Sequence, residues 1–78
     1  MKNVIIYSSP ACHFCHAAKE FFKEKNIVFT DKDVTKDPQA RSEMIEKSGG
    51  MAVPVIDIDG TITVGFEQSK VASMLGVS

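Results

Sequence analysis

The sequence predicts an α/β domain: a small mixed sheet with helices packed on its faces. Three observations point there. A β-branched run, a helical repeat and a second apolar run follow one another in about 30 residues, the spacing of a βαβ unit. A second helical segment comes next. The chain then gives two strand-like runs separated only by Asp59-Gly60, the strongest short signal for a hairpin.

Val4, Ile5, Ile6 and Tyr7 predict a buried strand stopped by Ser8-Ser9-Pro10. From His13 to about Lys25, Phe14, Ala17, Ala18, Phe21 and Phe22 recur at helical spacing. Lys19, Lys23 and Lys25 gather toward the negative end of that helix's dipole as a solvated face, and Asn26 is its expected stop. Residues 27–30 read as the second strand, parallel to the first through a right-handed crossover. Residues 31–36 read as a charged connection. Asp37-Pro38 starts the second helix, with Asp as N-cap and Pro at the first helical position. Ala40, Met44 and Ile45 are expected to face inward, and Ser48-Gly49-Gly50 ends the segment. Residues 53–58 and 61–64 form the hairpin. Gly65-Phe66 opens a last helix, with Val71, Met74 and Leu75 inward and Gly76 at its end. The order is β-α-β-α-β-β-α, in a single domain over residues 1–78.

Composition bounds the function. The chain has 78 residues, 44% hydrophobic and 24% charged, which suits one compact domain near the lower size limit for folding on its own core. Net charge is −1 and the signs are interspersed, so neither nucleic acid nor an anionic membrane is an expected partner. No apolar run is long enough to span a bilayer. Met1-Lys2-Asn3 leads straight into the first strand without the pattern of a secretory signal, so a cytoplasmic location is expected.

The chemistry gathers at Pro10-Ala11-Cys12-His13-Phe14-Cys15, between the first strand and the first helix. Cys12 and Cys15 are the only cysteines in the chain. Their spacing lets them close a disulfide with little backbone movement. In a reducing compartment such a pair points to catalysis or metal binding more than to a permanent staple. A helix start exposes unpaired N–H groups and a partial positive charge, which favour a thiolate, and the thiolate is the species that attacks disulfides. The residues therefore read first as a dithiol redox site, placed beyond the carboxyl end of a strand where α/β sheets gather ligands.

Cys12-x-x-Cys15 on the first β-to-α turn, Val53-Pro54 at the hairpin strand, and Gly65-Phe66 before the last helix together resemble the glutaredoxins. The likeness covers essentially the whole chain. It is closest to the short glutaredoxin-like redoxins of the NrdH type, on the run Pro10-Ala11-Cys12 and on Cys15-His16-Ala17-Ala18-Lys19. The resemblance implies a thioredoxin-like fold with strand order 2-1-3-4 and helices on both faces. It implies that Cys12 is the exposed nucleophile, that Cys15 is the more buried resolving thiol, and that the Val53–Pro54 bond is cis beside them. It further implies a monomeric dithiol–disulfide oxidoreductase that reduces protein or low-molecular-weight disulfides. No tightly bound cofactor is expected, and glutathione or a thioredoxin reductase is the electron donor. Glutaredoxins commonly carry Pro-Tyr between the cysteines, where this chain has His13-Phe14. Many also carry a Lys three residues before the first Cys, a Thr before Val-Pro, and an acidic-capped grip on glutathione's carboxylate. Here those positions hold Ser9, Ala52 and Phe66-Glu67-Gln68, which leans away from glutathione.

Around the cysteines, His13 is a candidate for tuning the thiolate and His16 reads as a helix-face residue. Phe14 and Phe66 are candidates for an apolar rim that meets a partner, although Phe14 also begins the helix's apolar stripe. Val53 offers backbone groups to an extended substrate, and Gly65 allows a close turn at the rim. Tyr7 reads as packing. Three rivals stand beside the redox reading. Cys12-His13-Phe14-Cys15-His16 fits the haem-attachment pattern C-x-x-C-H, which the βαβ context and the missing export signal oppose. Zinc or an iron–sulfur cluster could use the thiols, but adjacent Cys12 and His13 fit one tetrahedron poorly. The third rival is a non-catalytic module that binds partners through the Val53-Pro54 rim.

Overall fold

A computed structural model of the protein describes residues 3–77. Its elements are β1 (Val4–Ser8), α1 (His13–Glu24), β2 (Thr30–Asp33), α2 (Pro38–Ser48), β3 (Val55–Ile58), β4 (Thr61–Val64) and α3 (Gln68–Leu75). They build one four-stranded sheet in the order β2-β1-β3-β4. β1 runs parallel to β2, with Ile5 opposite Thr30, and antiparallel to β3, with Ile6 opposite Ile56. β3 and β4 form the expected hairpin. Asp59 and Gly60 both take positive φ (51° and 92°), the twist that a two-residue hairpin link requires. This is the thioredoxin-like fold with strand order 2-1-3-4.

Alternation along the central strands feeds two cores, one on each face. Val4, Ile6, Ile56 and Ile58 pack with Ala18, Phe21 and Phe22 of α1 and Val71 of α3. Tyr7 and Val55 pack on the opposite face with Ala40 and Met44 of α2. Strands covered on both sides read as unbroken apolar runs, which is why β1 was legible as buried.

α1 ends as its sequence indicates. Asn26 takes a left-handed φ of 58°, its N–H donates to the Lys23 carbonyl, and the Ile27 N–H donates to the Phe22 carbonyl at 2.8 Å. This double closure satisfies the last carbonyls and turns Ile27 onto the core. At α2, the Asp37 carboxylate accepts from the N–H groups of Gln39 and Ala40, as an N-cap should.

Three boundaries differ from the sequence reading. The second strand occupies Thr30–Asp33, not residues 27–30, so the charged connection is itself the edge strand. Ile27 and Phe29 pack against the core from the connection before it, while Val28 is 72% exposed. β2 needs only its backbone to pair with β1, and its charges are matched: Asp31 with Lys19 and Lys32 with Glu43. β3 begins at Val55, after Val53-Pro54, and α3 begins at Gln68, after Gly65 and Phe66 have turned the chain. Ile45, expected inward, stands at the edge of α2's buried stripe and is partly exposed.

A polar network clips α2 to the sheet. The buried Tyr7 hydroxyl donates to Glu43 Oε1 (3.0 Å) and accepts from Lys47 Nζ (2.8 Å). Lys47 also reaches Asp57 Oδ2 at 2.7 Å and lies over the Tyr7 ring, 5.1 Å from its centroid. Tyr7 therefore packs, as expected, and its hydroxyl also joins Glu43 and Lys47.

Candidate active site

The chain leaves β1 at Ser8 and enters α1 at His13, so Cys12 falls at the N-cap with extended backbone (φ −84°, ψ 115°). Its side chain does the capping: the Cys15 N–H donates to Cys12 Sγ at 3.2 Å. The loop is closed by the Cys12 N–H on the Ser9 carbonyl, 3.2 Å, and the His16 N–H on the Cys12 carbonyl, 3.3 Å. The helix start thus turns one of its unpaired backbone donors onto the Cys12 sulfur.

The two sulfurs stand in different surroundings. Cys12 is half-exposed, whereas Cys15 is 0% exposed. Burial pushes the Cys15 thiol from its ordinary 9.0 up to about 12, with the hydrogen bond between the two cysteine side chains adding to the rise. A backbone hydrogen bond from Ser9 and the Lys19 charge oppose that rise and lose to it. Both thiols are free.

The fold brings most of the sequence candidates to this point. The Val53–Pro54 bond is cis, and the Cys12 thiol donates to the Val53 carbonyl at 3.8 Å across a gap of 41 residues in sequence. Gly65, at φ 84°, donates its N–H to the Pro54 carbonyl at 2.7 Å, so it borders the same rim. His13 is exposed on the first turn of α1, and its ring stands edge-on to Phe14, centroids 5.9 Å apart. Phe14 is 60% exposed and leaves the apolar stripe that begins with Cys15 and Ala18. Phe66 is placed differently: it is half-buried against Phe21, centroids 5.9 Å apart, as part of the core's margin.

Two features of the site were not legible beforehand. The His16 Nε2–H donates to the Pro10 carbonyl at 2.8 Å, so this ring ties the helix back to the loop that carries Cys12. The second is a cavity of about 310 Å³ beside the dithiol, lined by Ser9, Val34, Thr35, Arg41, Met44, Met51 and Val53. The Arg41 guanidinium reaches Met51 Sδ at 3.5 Å there. Pro10 with His16 and Arg41 with Met51 are pairs that no helical or strand period links. Among the described residues, no group of three or more His, Cys, Asp and Glu side chains is placed to hold a metal ion, and no helix is long and apolar enough to cross a membrane.

A half-exposed sulfur at a helix N-cap, a buried second sulfur one turn on and a cis-proline edge facing them define a thioredoxin-fold dithiol protein. The comparisons narrow this. The glutaredoxin family model matches residues 4–63, and the chain belongs to the glutaredoxin family, whose members are thiol–disulfide oxidoreductases. It is 44% identical over 70 residues to an uncharacterized glutaredoxin-like 8.6 kDa protein in the rubredoxin operon of Clostridium pasteurianum, covering 90% of this chain and 93% of that one. The crystal structure of a thioredoxin-like protein superposes over the full length of both chains with a TM-score of 0.93 and 32% identity. The NrdH-redoxin of Escherichia coli shares the fold, with a TM-score of 0.79 and 24% identity over 91% of this chain and 92% of that one.

Proposed function

We propose that the protein is a cytoplasmic electron carrier that reduces disulfides in partner proteins, with Cys12 as nucleophile and Cys15 as resolving thiol. The asymmetry of the two sulfurs carries this reading: the accessible one receives the Cys15 N–H at 3.2 Å, and the buried one is held protonated. Cys12 thiolate attacks the substrate disulfide, one substrate sulfur leaves, and a mixed disulfide forms. Cys15, deprotonated, then attacks Cys12 and releases the second sulfur as a thiolate, leaving the Cys12–Cys15 disulfide. Because Cys15 is fixed one turn away, this second step is intramolecular and gains from proximity.

The substrate approaches over the Val53–Pro54 edge, where an extended peptide meets the Val53 backbone, with exposed His13 and Phe14 on the other side of Cys12. The protein works as a monomer without a tightly bound cofactor. Thioredoxin reductase, in preference to glutathione, regenerates the dithiol. Ser9 and Ala52 replace the Lys and Thr that grip glutathione in many glutaredoxins, and Phe66 is committed to Phe21.

The test follows NADPH-driven reduction of the oxidised protein through two systems in parallel: thioredoxin reductase alone, and glutathione with its reductase. Faster turnover with thioredoxin reductase is expected, and none for Cys12→Ser in either system. Preference for glutathione refutes the donor assignment. Failure of both systems refutes the electron-carrier reading.

A further inference from the structure

We propose that Lys19, clamped by Asp31 and Ser8, is the positioning residue that readies Cys15 for the second exchange step; this rests on the dithiol function above. Cys15 must lose its proton to attack Cys12, and its surroundings resist that loss. It is fully buried, and the groups that act on it besides burial are Cys12, the Ser9 backbone and Lys19. Lys19 lies four residues further along α1, so both side chains project from the same face of the helix, one turn apart.

The Lys19 side chain is held in a way that Lys23, the other lysine of α1, is not. It is only 19% exposed, against 66% for Lys23. Its ammonium lies 2.8 Å from Asp31 Oδ2, and Asp31 Oδ1 accepts from the Ser8 hydroxyl at 2.7 Å. Ser8 is itself buried at the end of β1. Three elements thus converge to fix one cation a helical turn along from the buried thiol: β1 through Ser8, α1 through Lys19 and β2 through Asp31.

The ammonium's pull on Cys15 has the sign that resolution needs, since it and the Ser9 backbone favour the thiolate against burial. The titratable and charged groups around Cys15 are Cys12 and Lys19 on its own helix and, through Lys19, Asp31 of β2. The neighbouring His16 is exposed and turned to the Pro10 carbonyl. In the step served, the Cys15–Cys12 bond forms as the bond from Cys12 to the substrate sulfur breaks. The electron pair leaves on that sulfur, and the proton that Cys15 gave up to solvent balances the one the released thiol takes up.

Removing the charge is expected to slow this step alone. One unit of rise in a thiol's pKa leaves about tenfold less thiolate. The remaining thiolate is more nucleophilic, with a Brønsted coefficient of about 0.45, so the net loss is about three- to fourfold.

The test mixes the reduced protein rapidly with dithionitrobenzoate, which releases one chromophore when Cys12 attacks and a second when Cys15 resolves. Lys19→Gln is expected to slow the second phase, by no more than about threefold. In a Cys15→Ser background the same substitution is expected to leave the single remaining phase unchanged. Lys19→Arg is expected to keep the wild-type second phase, which a purely structural clamp of different length would not ensure. Asp31 is 40% exposed, so water solvates it in Lys19→Gln and the variant stays folded. An unchanged second phase overturns the inference, as does equal slowing of both phases or failure of Arg to rescue. Loss of the second phase in the wild-type protein itself overturns the resolving role of Cys15, and the inference falls with it.

Discussion

The buried thiol makes the reduced protein lose stability in alkali by an amount that its environment sets. Cys15 has a folded-state pKa of about 12 against an ordinary 9.0, with burial the largest cause. The folded state therefore binds the Cys15 proton more tightly than the unfolded chain does. That contribution is complete below pH 9 and is lost progressively as pH rises from 9.0 toward 12. At pH 10 an unfolded thiol with a pKa near 9 is about 90% ionised while the folded one is still protonated, and the linkage integral from pH 8 to pH 10 comes to about 1.4 kcal/mol. The assay is urea denaturation under a non-thiol reductant at pH 8 and pH 10, on the wild type and on Cys15→Ala. Over this interval the wild type is expected to lose about 1.4 kcal/mol more than the variant. Equal losses in the two proteins, within about 0.3 kcal/mol, would refute the claim that burial governs this thiol.

Two further predictions concern the scaffold. Lys47→Met strands the Asp57 carboxylate, which is 11% exposed on its side chain and, among the described residues, keeps only the Gly60 N–H at 2.8 Å, so a cost of about 2 kcal/mol in denaturant stability is expected. Adding Asp57→Asn should cost less than the sum of the single changes; strict additivity in the double-mutant cycle would show that the pair is not coupled. Val28→Thr is expected to change stability by less than about 0.5 kcal/mol, because the side chain is exposed between two core residues, and a loss of core size, above about 1.5 kcal/mol, would restore Val28 to the interior.

Residues 27–30 show where reading from sequence stops. Apolar periodicity reports which side chains leave water, and Ile27 and Phe29 do so. Pairing in a sheet is a backbone property, and the backbone that pairs with β1 belongs to Thr30–Asp33. Its charges became acceptable only through partners distant in sequence: Lys19 twelve residues back and Glu43 eleven ahead. Local signals did better. Asp59-Gly60, Asn26 and Asp37-Pro38 each act within a few residues, and each is found in the conformation its chemistry favours. At the site, the cysteine pair and its helix start were legible for the same reason. Phe14 was ambiguous because a first-turn apolar residue is core only if another element covers it, and it remains 60% exposed.

The spacing of the two cysteines follows from helix geometry. With Cys12 as N-cap, Cys15 occupies the third helical position, whose N–H points back to the cap side chain. That N–H has no partner within the helix, so the Cys12 sulfur satisfies a backbone donor while the donor stabilises the sulfur. The side chain of the same residue enters the buried stripe that continues through Ala18 and Phe22, so one residue serves both sulfurs. One added residue between the cysteines would rotate the second sulfur by about 100° around the helix, off the stripe, and would take the N–H of its own residue away from the first. The two-residue gap is the one that gives this helix start an open sulfur with a donor and, on the same residue that donates, a closed sulfur within reach.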